Sequence, residues 1–511
     1  MNDSLDAKER EYKRISNKIR RRLSKLIPES VLSVCIEYLH KPDLLKAEKL
    51  QYIQPWWLLL LIKWTILESS GNNLKRKPLS LEGFRSLLNL QKELEEAKPT
   101  SPLDNQNGFM FVRQLAMQQF WFQEKGRYWL SRFARQSLLF GSVDKKSKIA
   151  QQFQIQTGIT IDDYINLMIA TISFYMVGNL PKASLISLDL VSFLSEGFGQ
   201  ERTEKFFQGI SGDLASLRKY IQIKDEEHVK FPLGSEFYEE TPLLRYPLRR
   251  VNKGFESYSP DVLLRSSETF VYDVLRGYNA EEFMQSFGGI FENYVENVIK
   301  MSKLQYLDEE KILKLLPPET KCVDFIIFEN DSAILIDAKG VEMNFAARAA
   351  QRPGDIISAT KASIMKGVKQ SYTVVNNLSN DSIPQPVNLK NKKLYIIVIT
   401  YKHLIAGNGN TFYKSVGRTE IDKLATENGD QYLVPIENMF FLAIDEFDLL
   451  IESYLDSQQS ISNILDKVIE KNSNPINMSM MFSWSLGGIF PHLKSPRFLD
   501  EEIERLNETL K

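Results

Sequence analysis

Asp324, Asp337 and Lys339 are the side chains whose types and spacing can do chemistry together. They lie in two short apolar runs, VDFIIF and AILIDAKG, joined by ENDS. Residues two apart on a strand point to one face, so Asp337 and Lys339 project together with Ala338 turned away. If Glu329 pairs with Ser332 across an Asn330-Asp331 turn, the register sets Asp324 directly opposite Asp337. Cross-strand neighbours lie about 4.5–5.5 Å apart at Cβ. Two carboxylates that close repel each other unless a cation or a proton sits between them. A divalent metal is the natural occupant, since Mg²⁺ takes one or two carboxylates plus waters and phosphate oxygens. The neighbouring lysine can orient a water or stabilise a developing negative charge.

The elements around this hairpin change class along the chain. Residues 8–25 read KEREYKRISNKIRRRLSK, nine basic against two acidic side chains. With Ile15, Ile19 and Leu23 at helical spacing, the segment predicts an amphipathic helix with a basic face, read first as solvated surface and second as a nucleic-acid or partner contact. From 30 to about 222 the pattern is helical throughout. TGITIDDYINLMIATISFYMVGN has Thr160 as cap, Asp163 completing a box and Gly178-Asn179 as stop. In QQFWFQEKGRYWLSRFARQSLLF, Trp121, Trp129, Phe133 and Phe140 alternate with Lys125, Arg127, Arg132 and Arg135. This spacing fits a core stripe with a charged outer face better than a base-stacking platform. The stretch from 225 to 265 carries four prolines and reads as extended connecting structure. Helical pattern resumes around Glu268–Leu275 and Ala280–Lys300. LQYL, the two hairpin strands, a helix around Ser358–Tyr372, the strand LYIIVITY and the strand-helix MFFLAIDEFDLLIESYL follow, which is α/β organisation. The last fifty or so residues read as polar helices with a loop at PHLKSPR.

Composition removes several function classes. The chain has 511 residues, is 43% hydrophobic and 25% charged, and carries a net charge of -1, so any attraction for nucleic acid must come from a local patch. Two cysteines, Cys35 and Cys322, exclude a disulfide framework and fit a reducing cytoplasm. Four scattered histidines lack zinc-hydrolase spacing. The N-terminus has no signal-peptide pattern, and the run WWLLLLI is too short to cross a bilayer, so no membrane role is expected. No GxxxxGK[ST] or GxGxxG supports a phosphate-cradling nucleotide enzyme.

A glutamate on a helix (GGIFENYVENVIK), an aspartate on a strand (TKCVDFIIF), Asp-x-Lys on the next strand (ILIDAKG), a glutamine helix (KASIMKGVKQSY) and an apolar strand (LYIIVITY) occur in that order. This order resembles the PD-(D/E)XK, or restriction-endonuclease-like, nuclease superfamily over roughly residues 280–450. The resemblance implies an α/β domain with a mixed central sheet flanked by helices at 279–455. A mainly helical accessory region at 1–224, a connecting segment at 225–278 and a helical extension at 456–511 complete the expected layout. It implies Mg²⁺ or Mn²⁺ held by Asp324, Asp337 and the Ala338 carbonyl, with Lys339 positioning the attacking water. Glu292, preferred to Glu296 one turn on, is the expected helix acid, binding the metal or a second metal through water. Gln370 is expected at the site's edge, touching water or the scissile phosphate, or else purely structural. The signature acid is Asp337 where glutamate is commoner, and Val323 stands where many members have proline.

Between Glu342 and Thr419 there are eleven Lys/Arg and three acids, a net +8 beside the expected site. Arg348, Arg352, Lys361, Lys366 and Lys369 are the candidate phosphate contacts, since cations there release counterions from a polyanion. The expected function is metal-dependent hydrolysis of DNA, in a layout similar to prokaryotic anti-phage defence or mobile-element enzymes. A homodimer or a partner ATPase or helicase is the expected assembly. The alternatives are an RNA-cleaving member, or a catalytically silent nucleic-acid-binding or scaffold protein on a degenerate nuclease fold.

Overall fold

A computed structural model describes residues 2–41, 43, 53–70, 75–98, 108–123, 129–141, 143–177, 185–227, 233–343, 345–348, 353–474 and 478–509. Arg352, Lys125, Arg127 and the Gly178-Asn179 stop lie outside the described residues. Nine strands form two sheets among those described. β1 (Leu185–Ser187), β2 (Ser211–Gly212), β3 (Leu248–Val251) and β4 (Gly254–Ser257) make a small sheet in the order β1-β4-β3-β2. β5 (Tyr306–Asp308), β6 (Phe325–Phe328), β7 (Ser332–Lys339), β8 (Lys393–Thr400) and β9 (Met439–Ala443) follow one another across a five-stranded mixed sheet. β5, β6 and β7 are antiparallel neighbours, and β7, β8 and β9 run parallel.

The larger sheet is covered on both faces because its strands alternate two apolar sets. Phe325, Ile327, Ile334, Ile336, Tyr395, Ile397, Ile399, Phe440 and Leu442 pack on one side. There they meet helices Pro260–Tyr278, Ala280–Met301 and Ile444–Ser457. Ile326, Ala333, Leu335, Ile396, Val398 and Met439 face the helix Lys366–Leu378 on the other. The period of two along each strand thus serves two cores rather than one core and solvent.

The layout departs from expectation in three places. β1 and β2 interrupt the supposedly all-helical stretch. At three and two residues they are too short to disturb a helical period, and their partners β4 and β3 lie far downstream. The segment 225–278 is not an extended linker. It carries short 3₁₀ turns (Leu233–Tyr238 and Pro242–Leu244), the β3–β4 hairpin and the long helix Pro260–Tyr278, and it buries Tyr238, Leu243, Leu248 and Tyr258. The sheet's core also reaches beyond 279–455: Phe133, Tyr164, Phe206, Leu465, Leu499 and Leu506 belong to the same cluster as Ile334 and Ile336. Helices near the N-terminus form a separate core around Ile15, Ile19, Trp64 and Leu88.

Local signals hold where they rest on caps and periodicity. Thr160 accepts a hydrogen bond from the Asp163 N–H (3.1 Å) and starts helix Ile161–Val177. WWLLLLI lies in the buried helix Pro55–Leu67. No helix among the described residues is long and apolar enough to cross a membrane. In the aromatic-basic segment, Phe133 and Phe140 are core, Arg132 pairs with half-buried Glu268 and Asp445, and Arg135 pairs with buried Asp448 at 2.7 Å.

Candidate active site

The hairpin forms in the expected register. The Glu329 N–H donates to the Ser332 carbonyl (3.0 Å), Phe325 pairs with Ile336, and Asp324, just before the strand, donates its N–H to the Ile336 carbonyl (3.1 Å). The Ala338 N–H donates to Asp324 Oδ2 (2.5 Å), which fixes the carboxylate across the strand gap. Lys339 Nζ donates to Asp337 Oδ1 at 2.6 Å, as side chains two apart on one strand face allow. Both aspartates are buried, and Asp337 has no exposed surface. Among the described residues no N–H or O–H donor reaches Asp337 Oδ2.

A third acid joins the row. β5 pairs with β6 so that Asp308 faces Phe325, and continuing that register sets Glu309 beside Asp324. Glu309, first residue of the short helix Glu309–Leu313, Asp324 just before β6 and Asp337 on β7 thus come from three successive elements. Glu292 reaches the same place from helix Ala280–Met301, whose buried Phe287, Phe291 and Val295 seat it on the sheet. Carboxylate oxygens of Glu292, Glu309 and Asp324 all lie within 4.8 Å of one another. Glu296, the alternative helix acid, is committed elsewhere: the Tyr306 hydroxyl donates to it (2.9 Å) and Lys300 pairs with it (2.9 Å).

The electrostatics are those of acids crowded without enough cation. Burial, then the Asp337 charge, pushes the Asp324 carboxyl up to about 7, against the pull of Lys339 and the Ala338 N–H. Burial raises Asp337 as well, opposed by Lys339, and the Asp324 carboxyl is close enough to share a proton with it. Half-buried Glu292 is raised by burial and by Glu309. Buried charge of one sign calls for a proton or a metal. The donor set fits a hard divalent cation: oxygen ligands only, more than one carboxylate, and an open side at exposed Glu309. The Ala338 carbonyl belongs to the same strand end.

The helix side of the site is close-packed. One turn of π-helix, Lys361–Met365, leads into helix Lys366–Leu378, and such turns recur at functional sites. Gly367 lies against Asp337; a Cβ there would come within 2.6 Å of Asp337 Oδ2 and 2.7 Å of Val398 Cγ2. Gln370 turns toward the site strand, its Nε2 donating to the Cys322 carbonyl two residues before Asp324. It therefore braces the backbone that carries Asp324. Its buried Oε1 meets no donor among the described residues.

The expected basic surface shrinks on inspection. Lys361, Lys366 and Lys369 are exposed on the helix next to Asp337, with Lys369 at 4.0 Å from Glu427. Arg348, a candidate phosphate contact, turns inward instead to partly exposed Glu240 (3.0 Å) and to the buried Glu342 carboxylate (3.8 Å), which needs a counter-charge. Lys402 is buried between Asp273 and Glu342, both at 2.7 Å, while Lys390 pairs with Asp381 and Lys393 with Asp466 at the same distance. Glu309 is the residue that sequence reasoning missed. Its signal was present in LQYLDEE, read as a strand running antiparallel to VDFIIF. A scan against protein-family models, a search of curated proteins and a search of solved structures each return no match to this chain.

Proposed function

We propose that the chain is a metal-dependent nuclease that hydrolyses phosphodiester bonds of DNA. The observation that supports the reading is the cluster of Glu292, exposed Glu309 and buried Asp324, whose carboxylate oxygens lie within 4.8 Å of one another, beside buried Asp337 and its ion pair with Lys339. Asp324, Asp337, Glu292 and Glu309, with the Ala338 carbonyl, are the groups that would hold Mg²⁺ or Mn²⁺. When bound, such an ion supplies Lewis acidity and a more acidic water. Asp337 holds the Lys339 amine in place at 2.6 Å, where it would meet the negative charge that develops on a phosphoryl group under attack. Glu292, whose proton affinity is raised by burial and by Glu309, can hold a proton at its carboxyl oxygen. Gln370 keeps the Asp324 strand in register with the helix that presents Lys361, Lys366 and Lys369 to phosphates. The site lies at the carboxyl ends of the parallel strands β7 and β8, where open α/β sheets take their ligands.

The test is cleavage by the purified full chain of plasmid, linear duplex, single-stranded DNA and RNA, with Mg²⁺, Mn²⁺ or a chelator. Metal-dependent cleavage of DNA is expected, and Asp337→Asn is expected to lower it at least about a hundredfold, the scale of losing one group that acts on transition-state charge. Intact substrates under every condition, or an Asp337→Asn protein that cuts as fast as the parent, would sink the reading. A role in defence or mobile-element biology, with an ATPase, a helicase or a second copy as partner, is the wider proposal that this activity would serve.

A further inference from the structure

The first helix, Asn2–Leu23, divides cleanly into two faces. Tyr12, Ile15, Ile19 and Leu23 are buried in the N-terminal core, and the Tyr12 hydroxyl donates to Glu236 (2.7 Å). Arg10, Lys13, Arg14, Lys18, Arg21 and, just past the helix, Lys25 are exposed. At about 100° per residue these six side chains fall within an arc of roughly 140° around Asn17. The one exposed acid among described residues 7–25 is Glu11, held by Arg14 at 2.6 Å. Arg20 and Arg22 are spent inward, on Glu68 (2.7 Å) and the Ser86 hydroxyl (2.6 Å). Arg10, Lys13, Lys18, Arg21 and Lys25 have no ion-pair partner among the described residues. The backbone of Lys77 pairs with that of Lys25 and Ile27 (3.0 and 2.9 Å), which brings exposed Lys75 and Lys77 to the end of the same stripe.

We infer that this face is a contact for the phosphate backbone of duplex DNA, separate from the residues around Asp337. The inference rests on the nuclease reading for the choice of DNA as polyanion. The stripe presents a cation at nearly every turn over about 22 Å, the length of some six base pairs. A lipid surface fits it worse. A membrane-lying helix must expose its apolar side, and here that side is buried in the protein. The helix belongs to the N-terminal core rather than to either core of the catalytic sheet, so the contact would hold DNA without touching the reacting phosphate.

The experiment is fluorescence anisotropy of a labelled duplex with the full chain in chelator, over about 50–200 mM salt. Lys13→Glu combined with Arg21→Glu is compared with Lys146→Glu, an exposed lysine elsewhere. The double variant is expected to bind at least tenfold more weakly, with the slope of log K against log salt shallower by about two. The control is expected to match the parent, and circular dichroism melts of all three to coincide. Unchanged duplex affinity in the double variant overturns the inference. The two readings fail differently. Intact DNA that is still bound through this face rejects only the nuclease, whereas cleavage with charge-insensitive binding rejects only the contact.

Discussion

At the scale of single residues, the decisive quantity is the proton affinity of Asp324. Its carboxyl sits near 7 instead of the ordinary 3.8, because burial and then Asp337 disfavour the charge. The sign follows from linkage: a group that binds its proton more tightly when folded favours the fold at low pH. That contribution is complete below about 4 and lost as pH rises to about 7. Without metal, the parent should therefore lose stability across this window relative to Asp324→Asn, whose amide keeps an acceptor for the Ala338 N–H and carries no charge. The gap should grow to no more than about 4 kcal/mol. If the proposed metal reading holds, added Mg²⁺ should close it from the parent's side, as an ion held by the folded carboxylates would stabilise the fold. Thermal melts of both proteins from pH 4 to 8, with chelator and with Mg²⁺, measure it. A gap that does not vary with pH would mean that Asp324 is not held among unneutralised acids. Asp324, Asp337 and Lys339 were legible beforehand because a period of two and a symmetric hairpin determine their facing. Arg348 was misread because a basic residue in sequence does not declare whether an acid waits for it inside.

At the scale of elements, the helix Lys366–Leu378 meets β7 at Gly367, and this contact sets the back wall of the acidic row. The one residue type without a Cβ fits where an added methyl would press on Asp337 Oδ2 and on Val398. Gly367→Ala is expected to cost about 1–3 kcal/mol as an overpacked contact. It should also weaken Mn²⁺ binding by displacing Asp337, which calorimetric titration and urea unfolding would read separately. A variant equal to the parent in both would show that the helix has room to spare. The five strands of the large sheet were readable from apolar runs and their order. Glu309 was not, because its place depends on the pairing of β5 with β6, two segments separated by the short helix Glu309–Leu313 and a loop. β1 and β2 were illegible for the same reason: a strand of two or three residues exists only through its distant partner.

At the scale of the whole molecule, helix Pro260–Tyr278 ties the N-terminal helices to the sheet, with Val262 in one core and Phe270 in the other. Beside it an ionic cluster centred on buried Lys402 and Glu342 joins segments far apart in sequence, with Arg348 and the partly exposed Glu240, Asp273 and Arg276 around them. Lys402 is its hub, contacting Asp273 and Glu342 at 2.7 Å and Glu240 at 3.7 Å. Glu342 stands three residues beyond Lys339, so the cluster anchors the strand end that carries the proposed chemistry. Lys402→Met preserves length and packing but leaves Asp273, among the described residues, with the Thr269 hydroxyl, which donates at 2.7 Å. Removing one partner of a buried ion pair costs about 3–5 kcal/mol. Burial already raises the proton affinity of Asp273, and Lys402 is the main opposing influence. Without that lysine Asp273 should take up a proton more readily, so the cost should be largest near pH 8 and smaller near pH 5. Adding Asp273→Asn should recover much of the loss at pH 8 and little at pH 5. Urea unfolding of the parent, the single variant and the double variant at both pH values reads this cycle. A loss independent of pH, or no recovery in the double variant, would place the destabilisation in packing rather than in stranded charge.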